Sequence, residues 1–391
     1  MTNHRLFLTI LLSFSFYLLS YPATVRVRLL TEEDPSYVFF RVISGKYSLK
    51  CPGIESTDLD TGEEILISRY KNFIAIKISG ITAFSADSAI FESISENSRF
   101  FLRTGAGGGV SGTYSGGMTC YPDLSGLVIV NVCDIEEYIA GVVMAEGGRG
   151  KNIEYCKTQA VIARTYAYKY FEKHVSDRYN LCDDTHCQAF SGIVSDSVIS
   201  RAVRETKDKV IVTPDSLLII AAFHSNCGGE TSPSEYVWLS PQPYLVRVSD
   251  PFCVRSRNSS WETTVSMGEW LEILRKNNYT GAADNSSQFS FSQPHRTAEY
   301  KIGEFSMPLS ILRDKLGLKS AWFSVIPQND SLYIRGKGYG HGVGLCQEGA
   351  MVMAVEGSEF DEIVRFYYPG VLITDIRFAR KNAGDILNRR N

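Results

Sequence analysis

The chain has 391 residues, 44% of them apolar and 21% charged, and a formal net charge of −3. That is enough apolar material for a core shared among two or three lobes. With no concentrated Lys/Arg block, the sequence carries no electrostatic footprint for nucleic acid or for an anionic membrane surface.

At the N-terminus Arg5 precedes LFLTILLSFSFYLLS (Leu6–Ser20), an apolar run ending near Pro22 and Ala23. A basic residue ahead of a short apolar run is the pattern of a secretory signal, so the chain is expected to be exported to the periplasm or cell envelope. The run is short for spanning a bilayer. Tyr21 nevertheless fits poorly among the small residues expected before a cut at Ala23, and a retained anchor is the alternative. No later segment has the length of a membrane span. Nine cysteines in an exported chain permit disulfides, and the odd number leaves at least one unpaired or bound to something else.

From Val25 to about Thr104 the stretches VRVRLL, YVFFRVI, FIAIKISGI and SRFFLR alternate or run apolar between turn residues, which predicts a β-rich front lobe. GAGGGVSGTYSGG (Gly105–Gly117) has seven glycines in thirteen residues and no regular period, and is expected to be a flexible loop between lobes. It lacks the Lys-Ser/Thr ending of a phosphate cradle. LVIVNV (Leu127–Val132) reads as a strand, and CDIEEYIAGVVMAEGGRG as a helix capped at Asp134. Ile135, Ile139 and Val142 fall on one face, and Glu146 continues that stripe. A carboxyl there is partly desolvated and holds a proton nearer neutrality. The alternative is an ordinary solvated glutamate at a helix end.

A second helix is predicted over Ile153–Phe171, with Cys156, Ala160, Ala163, Ala167, Tyr170 and Phe171 on one stripe. Gln159 and Arg164 flank that stripe, where polar groups either face a cleft or meet solvent. HVSDRYNLCDDTHCQAF (His174–Phe190) then brings two histidines and two cysteines close in sequence. Thiolates and imidazoles together make a zinc-type ligand set, and a Cys182–Cys187 disulfide or two unrelated thiols are the alternatives.

AAFHSNCGGETSPSEYVW (Ala221–Trp238) runs from an apolar strand into a polar turn, making His224, Ser225 and Cys227 candidate site residues. The long stretch from Asn258 to His295 is polar and is expected to include a mobile excursion. No G-x-S-x-G elbow or H-E-x-x-H pair is present. In GKGYGHGVGLCQEGA (Gly336–Ala350) glycine takes every second place from 336 to 344, and Val343 breaks the dinucleotide fingerprint. Two readings of these glycines are open. Either a bare wall lets main-chain groups reach a flat, hydroxyl-rich ligand, with Tyr339 stacking and His341 hydrogen-bonding, or the glycines let another strand pack closely.

Six stretches in order, NVCDIEEYIAGVVMAE, KTQAVIARTYAY, DDTHCQAFSG, FHSNCGGETSPSEYVW, RDKLGLKSAWFSV and GKGYGHGVGLCQEGAMVMA, resemble the motifs of the stage II sporulation protein D (SpoIID/LytB) family, between about Arg26 and Ile376. The resemblance implies a lytic transglycosylase acting on peptidoglycan glycan strands already stripped of their stem peptides. Glu146 matches the family's catalytic glutamate, expected as general acid and then base. Gln159, Arg164, His224, Ser225, Tyr339, His341 and Gln347 are the expected substrate-binding residues. The resemblance also implies a structural zinc on His174, Cys182, His186 and Cys187, four ligands that leave no open position. After Glu146, where the family usually continues with Met and a tryptophan-containing segment, this chain reads GGRGKNIEYCK.

The expected fold is α+β: a signal or anchor at 1–23, a β-rich region at 24–120, and a mixed catalytic region at 121–391 holding a glycan-binding cleft. The expected partners are denuded glycan strands, an upstream amidase, and other cell-wall or division proteins. Two further functions stay in view: a zinc-dependent cell-wall hydrolase, and a noncatalytic glycan-binding partner.

Overall fold

The computed structural model describes residues 23–78, 83–105, 109–238, 240–282 and 286–380; the Leu6–Ser20 run and the end of the chain lie outside them. The front of the chain folds as β1 (Thr24–Leu29), β2 (Tyr37–Ser44), β3 (Tyr47–Cys51), β4 (Ile54–Leu59), β5 (Glu64–Tyr70), β6 (Phe73–Ile78), β7 (Phe84–Ala86), β8 (Ala89–Ser93), β9 (Arg99–Thr104), β10 (Ser111–Ser115), β11 (Gly117–Pro122) and β12 (Leu127–Asp134). Period-two burial drives this: Val25, Val27 and Leu29, then Val38, Phe40 and Val42, point inward while their neighbours point out.

Two sheets result. One runs β10-β9-β2-β5-β6-β7; the other, completed by a short β13 (Leu181–Cys182), runs β13-β1-β12-β11-β8-β3-β4. Phe40 of the first sheet packs against Phe91 of the second at 4.3 Å between ring centroids, so the sheets face each other across an aromatic core. The glycine-rich stretch does not fold as the loop expected: Ser111–Ser115 pairs with β9 and Gly117–Pro122 with β8 and β12. Backbone pairing with the adjoining strands β9 and β12 and with β8 overrides a composition that locally favours neither helix nor strand. The sheet also continues past residue 120, because β12 lies between β1 and β11.

β12 runs directly into α1 (Ile135–Gly147), where the Asp134 carboxylate accepts from the Glu136 and Glu137 amides. α2 (Ile153–Lys169) follows, capped by Asn152 and two residues shorter than predicted. It packs against α1, α3 (Ser197–Glu205), β14 (Lys209–Val212), α7 (Gln347–Val355) and α8 (Phe360–Tyr367). β14 pairs with β22 (Leu372–Asp375), and β15 (Phe223–His224) pairs in parallel with β21 (Leu345–Cys346), so the His224 segment lies alongside the glycine-rich motif. A short α4 (Glu235–Trp238) comes between them in sequence. The fold is α+β.

The polar stretch from Asn258 onward carries regular elements, β16 (Ser260–Ser266) and α5 (Met267–Lys276) among them. It opens a second body with its own core: β16, α5, the hairpin β17 (Glu299–Ile302) and β18 (Phe305–Pro308), α6 (Leu309–Lys315), β19 (Phe323–Gln328) and β20 (Ser331–Lys337). α5 buries Trp270, Leu271, Ile273 and Leu274, which join Phe289, Tyr300 and Ile334. A few large apolar residues supply the core here, so average polarity misleads. No helix among the described residues is long and apolar enough to cross a membrane.

Candidate active site

Ile135, Ile139 and Val142 are buried along α1, and the stripe they define carries the half-buried Glu146 out of the helix on its core side. Gly148, at φ 74°, stops the helix there. The Glu146 carboxylate accepts a 3.0 Å hydrogen bond from the Ala189 amide. Burial raises its pKa above the ordinary carboxylate value, and that one hydrogen bond offsets only part of the effect. The Glu146 carbonyl accepts from the Gln347 side chain at 3.3 Å, which ties the end of α1 to the start of α7.

Glu146, His224, Ser225, Tyr339, His341 and Gln347, separated by up to two hundred residues, line one cleft of about 880 Å³. Among the described residues lining it, Glu146 is the only carboxylate. Trp238 and Tyr339 are 42% and 45% exposed there and offer aromatic faces to a ligand.

The two histidines are held by different partners. His341 accepts from the Val343 amide at Nδ1, 3.0 Å, so the proton of the neutral ring sits on Nε2. Burial, with the Arg313 guanidinium nearby, lowers its pKa to about 4. His224 directs Nδ1 to the Val343 carbonyl at 3.1 Å, and its Nε2 has no partner. Burial holds the His224 pKa well below the ordinary value. Their rings lie 5.5 Å apart, and the Trp238 ring lies 5.4 Å from His341.

The glycine-rich motif serves mainly close packing. A Cβ on Gly344, at φ +72°, would lie 2.1 Å from the Ala222 carbonyl oxygen, and one on Gly338 2.6 Å from that of Asn226. The space at Gly338 and Gly344 is filled by the 222–228 backbone, while Gly336 abuts the Trp261 ring and Gly342 the Arg296 guanidinium. Gly340 is the one residue of the alternating set that lines the cleft.

Two predicted substrate residues are elsewhere. Arg164 is fully buried, with Nε 2.8 Å from Glu136 Oε1 and Nη1 3.1 Å from the Lys209 carbonyl. Gln159 is likewise buried and does not line the cleft. The expectation failed because α2 is covered on nearly every side, so positions flanking its stripe face other elements rather than a groove.

His174, Cys182, His186 and Cys187 do come together, with one donor atom each within 4.8 Å of all the others. Cys182 Sγ lies 3.5 Å from His186 Nδ1, and Cys187 Sγ 3.5 Å from His174 Nε2. Metal–ligand bonds of about 2.0–2.3 Å in a tetrahedron separate ligand atoms by roughly 3.3–3.8 Å, so the residues fit a metal ion. Hydrogen bonding from Cys182 pulls the Cys187 thiol down toward the thiolate that a metal takes. His186 and Cys187 also line the cleft, three and two residues before Ala189.

The sequence reading missed Tyr166, Tyr170, Lys173, Trp238 and Arg313, all of which line the cleft. Trp238 closes the SPSEYVW motif and could have been named from it. Arg313 comes from α6 of the second body, and no local pattern marks it.

A family model described as "SpoIID: Stage II sporulation protein" matches residues 124–212. Stage II sporulation protein D of Bacillus subtilis (strain 168) is 30% identical over 259 residues, 62% of this chain and 74% of that protein. The protein of the same name from Bacillus amyloliquefaciens is 32% identical over 260 residues, with the same coverage. A Bacillus subtilis protein named amidase enhancer is 29% identical over 292 residues, 60% of this chain and 40% of its own length. The ordered motifs and these likenesses together place the chain in the stage II sporulation protein D family.

Proposed function

We propose that the protein is a lytic transglycosylase that cleaves the linkage between N-acetylmuramic acid and N-acetylglucosamine in peptidoglycan strands stripped of stem peptides. Its family membership supports a role at the cell wall. The observation that carries the finer reading is that Glu146 is the sole carboxylate among the described residues lining the cleft, and burial favours its protonated form. Ordinary glycosidases place two carboxyl groups about 5–9.5 Å apart, one to protonate and one to attack or to activate water. A cleft with one carboxyl suits a reaction whose nucleophile belongs to the substrate.

Glu146 donates its proton to the glycosidic oxygen as the C1–O bond breaks and positive charge develops on the muramyl ring. The muramyl C6 hydroxyl then bonds to C1, its proton returns to Glu146, and a 1,6-anhydro ring closes. Water is not consumed and Glu146 is restored. His224 and His341 line the cleft, and beside them Trp238 and Tyr339 offer stacking faces to the sugar rings. Stripping the peptide frees a lactyl carboxylate on each muramic acid, and Lys173 and Arg313 give the cleft two basic side chains to meet it.

The His174, Cys182, His186 and Cys187 group holds a structural zinc in this reading. Four protein ligands leave no open position, so a bound ion would fix the loop that presents Ala189 rather than supply the reacting group. The protein acts after an amidase, outside the cytoplasm and alongside other cell-wall or division proteins. One observation favours a second reading, a noncatalytic glycan-binding partner: a relative carries the name amidase enhancer.

The test is to incubate purified protein with amidase-treated and with untreated peptidoglycan and analyse the soluble fragments by mass spectrometry. Anhydro-ended sugars from the treated material are expected. Binding with no released fragment supports the partner reading and rejects the enzyme.

A further inference from the structure

A second convergence of soft ligands lies outside the group already described and shares no residue with it. Cys227, Asp250, Cys253 and Cys346 each place one donor atom within 4.8 Å of the other three, and all four residues are fully buried. They come from three separate segments: the turn after β15, the loop carrying Asp250 to Cys253, and the N-cap of α7.

Isolated buried cysteines behave as small apolar residues and need no explanation. This set is different, because a fully buried carboxylate faces the sulfurs. Asp250 Oδ2 lies 3.1 Å from Cys227 Sγ, and Cys227 Sγ lies 3.3 Å from Cys253 Sγ. The carboxylate is held in that direction: Oδ1 accepts from the Phe252 and Cys253 amides at 2.9 and 3.3 Å, and Oδ2 from the Tyr367 hydroxyl at 2.9 Å. Cys346 Sγ is held by the Cys227 and Gly349 amides at 3.2 and 3.4 Å, donors suited to a thiolate. A side chain on Gly349 would fill the same space, since its Cβ would lie 2.5 Å from Asp250 Oδ2.

Such a cluster without a cation is costly, because burial disfavours each ionised form. Arg296, itself buried, donates to the Cys227 carbonyl and supplies one positive charge nearby.

We propose that Cys227, Asp250, Cys253 and Cys346 form a second metal site, taking one divalent ion of the zinc class in a closed tetrahedral set. Zinc-bound thiolate sulfurs, at about 2.3 Å from the metal, sit roughly 3.7 Å apart, near the spacing here. The site is a structural brace. It joins the turn beyond His224 and Ser225 to the start of α7, where Gln347 follows Cys346 directly, and so fixes one wall of the cleft. It does not depend on the proposed glycan chemistry.

The test is metal stoichiometry of the full chain, purified with reductant from zinc-supplemented culture. Two zinc ions per chain are expected, one remaining in a Cys182→Ser/Cys187→Ser double variant and one in Cys253→Ser. Cobalt substitution of the double variant should give a thiolate-to-cobalt charge-transfer band. At most one zinc in the wild-type chain, all of it lost in the double variant, overturns the proposal even where Cys253→Ser fails to fold. So does an intact mass two hydrogens lighter, with Cys227 and Cys253 peptides covalently linked.

Discussion

The Ala189 amide donates a single 3.0 Å hydrogen bond to the Glu146 carboxylate, joining the catalytic candidate to the loop that carries His186 and Cys187. That bond orients the carboxyl while burial keeps its proton affinity high. Loop and helix therefore act on one group from two sides.

Glu146→Gln is expected to keep the fold, since glutamine preserves shape and can still accept from Ala189. It should lower glycan cleavage by about 10²–10⁴, the usual contribution of a positioned acid or base. Circular dichroism and thermal melting check the fold, and fragment release checks the rate. A variant that cleaves at the wild-type rate removes Glu146 from the chemistry.

The pH dependence has a definite sign. Because the folded pKa of Glu146 is raised above its unfolded value, its contribution to stability is fully present below the unfolded pKa and is lost as pH rises through the folded one. Activity that needs the protonated acid falls across the same folded pKa. Comparing wild type with Glu146→Gln by urea titration at several pH values should show this loss in the wild type alone. Equal pH profiles in the two proteins contradict a sheltered carboxyl.

Arg164→Ala is expected to act on stability rather than on ligand binding. Removing one partner of a buried ion pair costs about 3–5 kcal/mol, and here Glu136 would be left behind with only 17% of its side chain exposed. Chemical denaturation measures the loss. An unchanged midpoint with weakened glycan binding would return Arg164 to the substrate.

Gly344→Ala is expected to disrupt the pairing of β15 with β21. Its φ of +72° alone costs a substituted residue about 1–3 kcal/mol. The new Cβ would also strike the Ala222 carbonyl oxygen at 2.1 Å, whereas one on Gly340, likewise at positive φ, would meet the His224 side chain at 2.9 Å. Thermal melts should rank Gly344→Ala below Gly340→Ala, and the reverse order contradicts the packing role.

Chelation separates a structural metal from a catalytic one. With closed sites, treatment with a strong chelator should lower the melting temperature, and activity should fall only as the protein unfolds. Turnover abolished in a chain with an unchanged melting temperature points to metal at the chemistry.

Much of this site was legible from local pattern. The α1 stripe pointed Glu146 inward, and the strand alternation from Val25 to Thr104 gave the front sheets. The His174 to Cys187 ligands lie within fourteen residues, a span over which spacing is informative. What was missed depends on distant packing. Arg164 looked peripheral because an amphipathic helix was assumed, whereas α2 is enclosed. Arg313 and the Cys227, Asp250, Cys253, Cys346 set are joined only through the tertiary fold, and the second body hid its few large core residues in polar sequence.

The central claim is that one carboxyl and the substrate's own hydroxyl suffice to break the glycan. Digesting amidase-treated peptidoglycan in water enriched in oxygen-18, then weighing the new sugar ends, tests this most directly. Ends lacking the heavy isotope and lighter by one water than ordinary reducing sugars are predicted. Ends that carry oxygen-18 would mean that water attacks the sugar, contradicting the account.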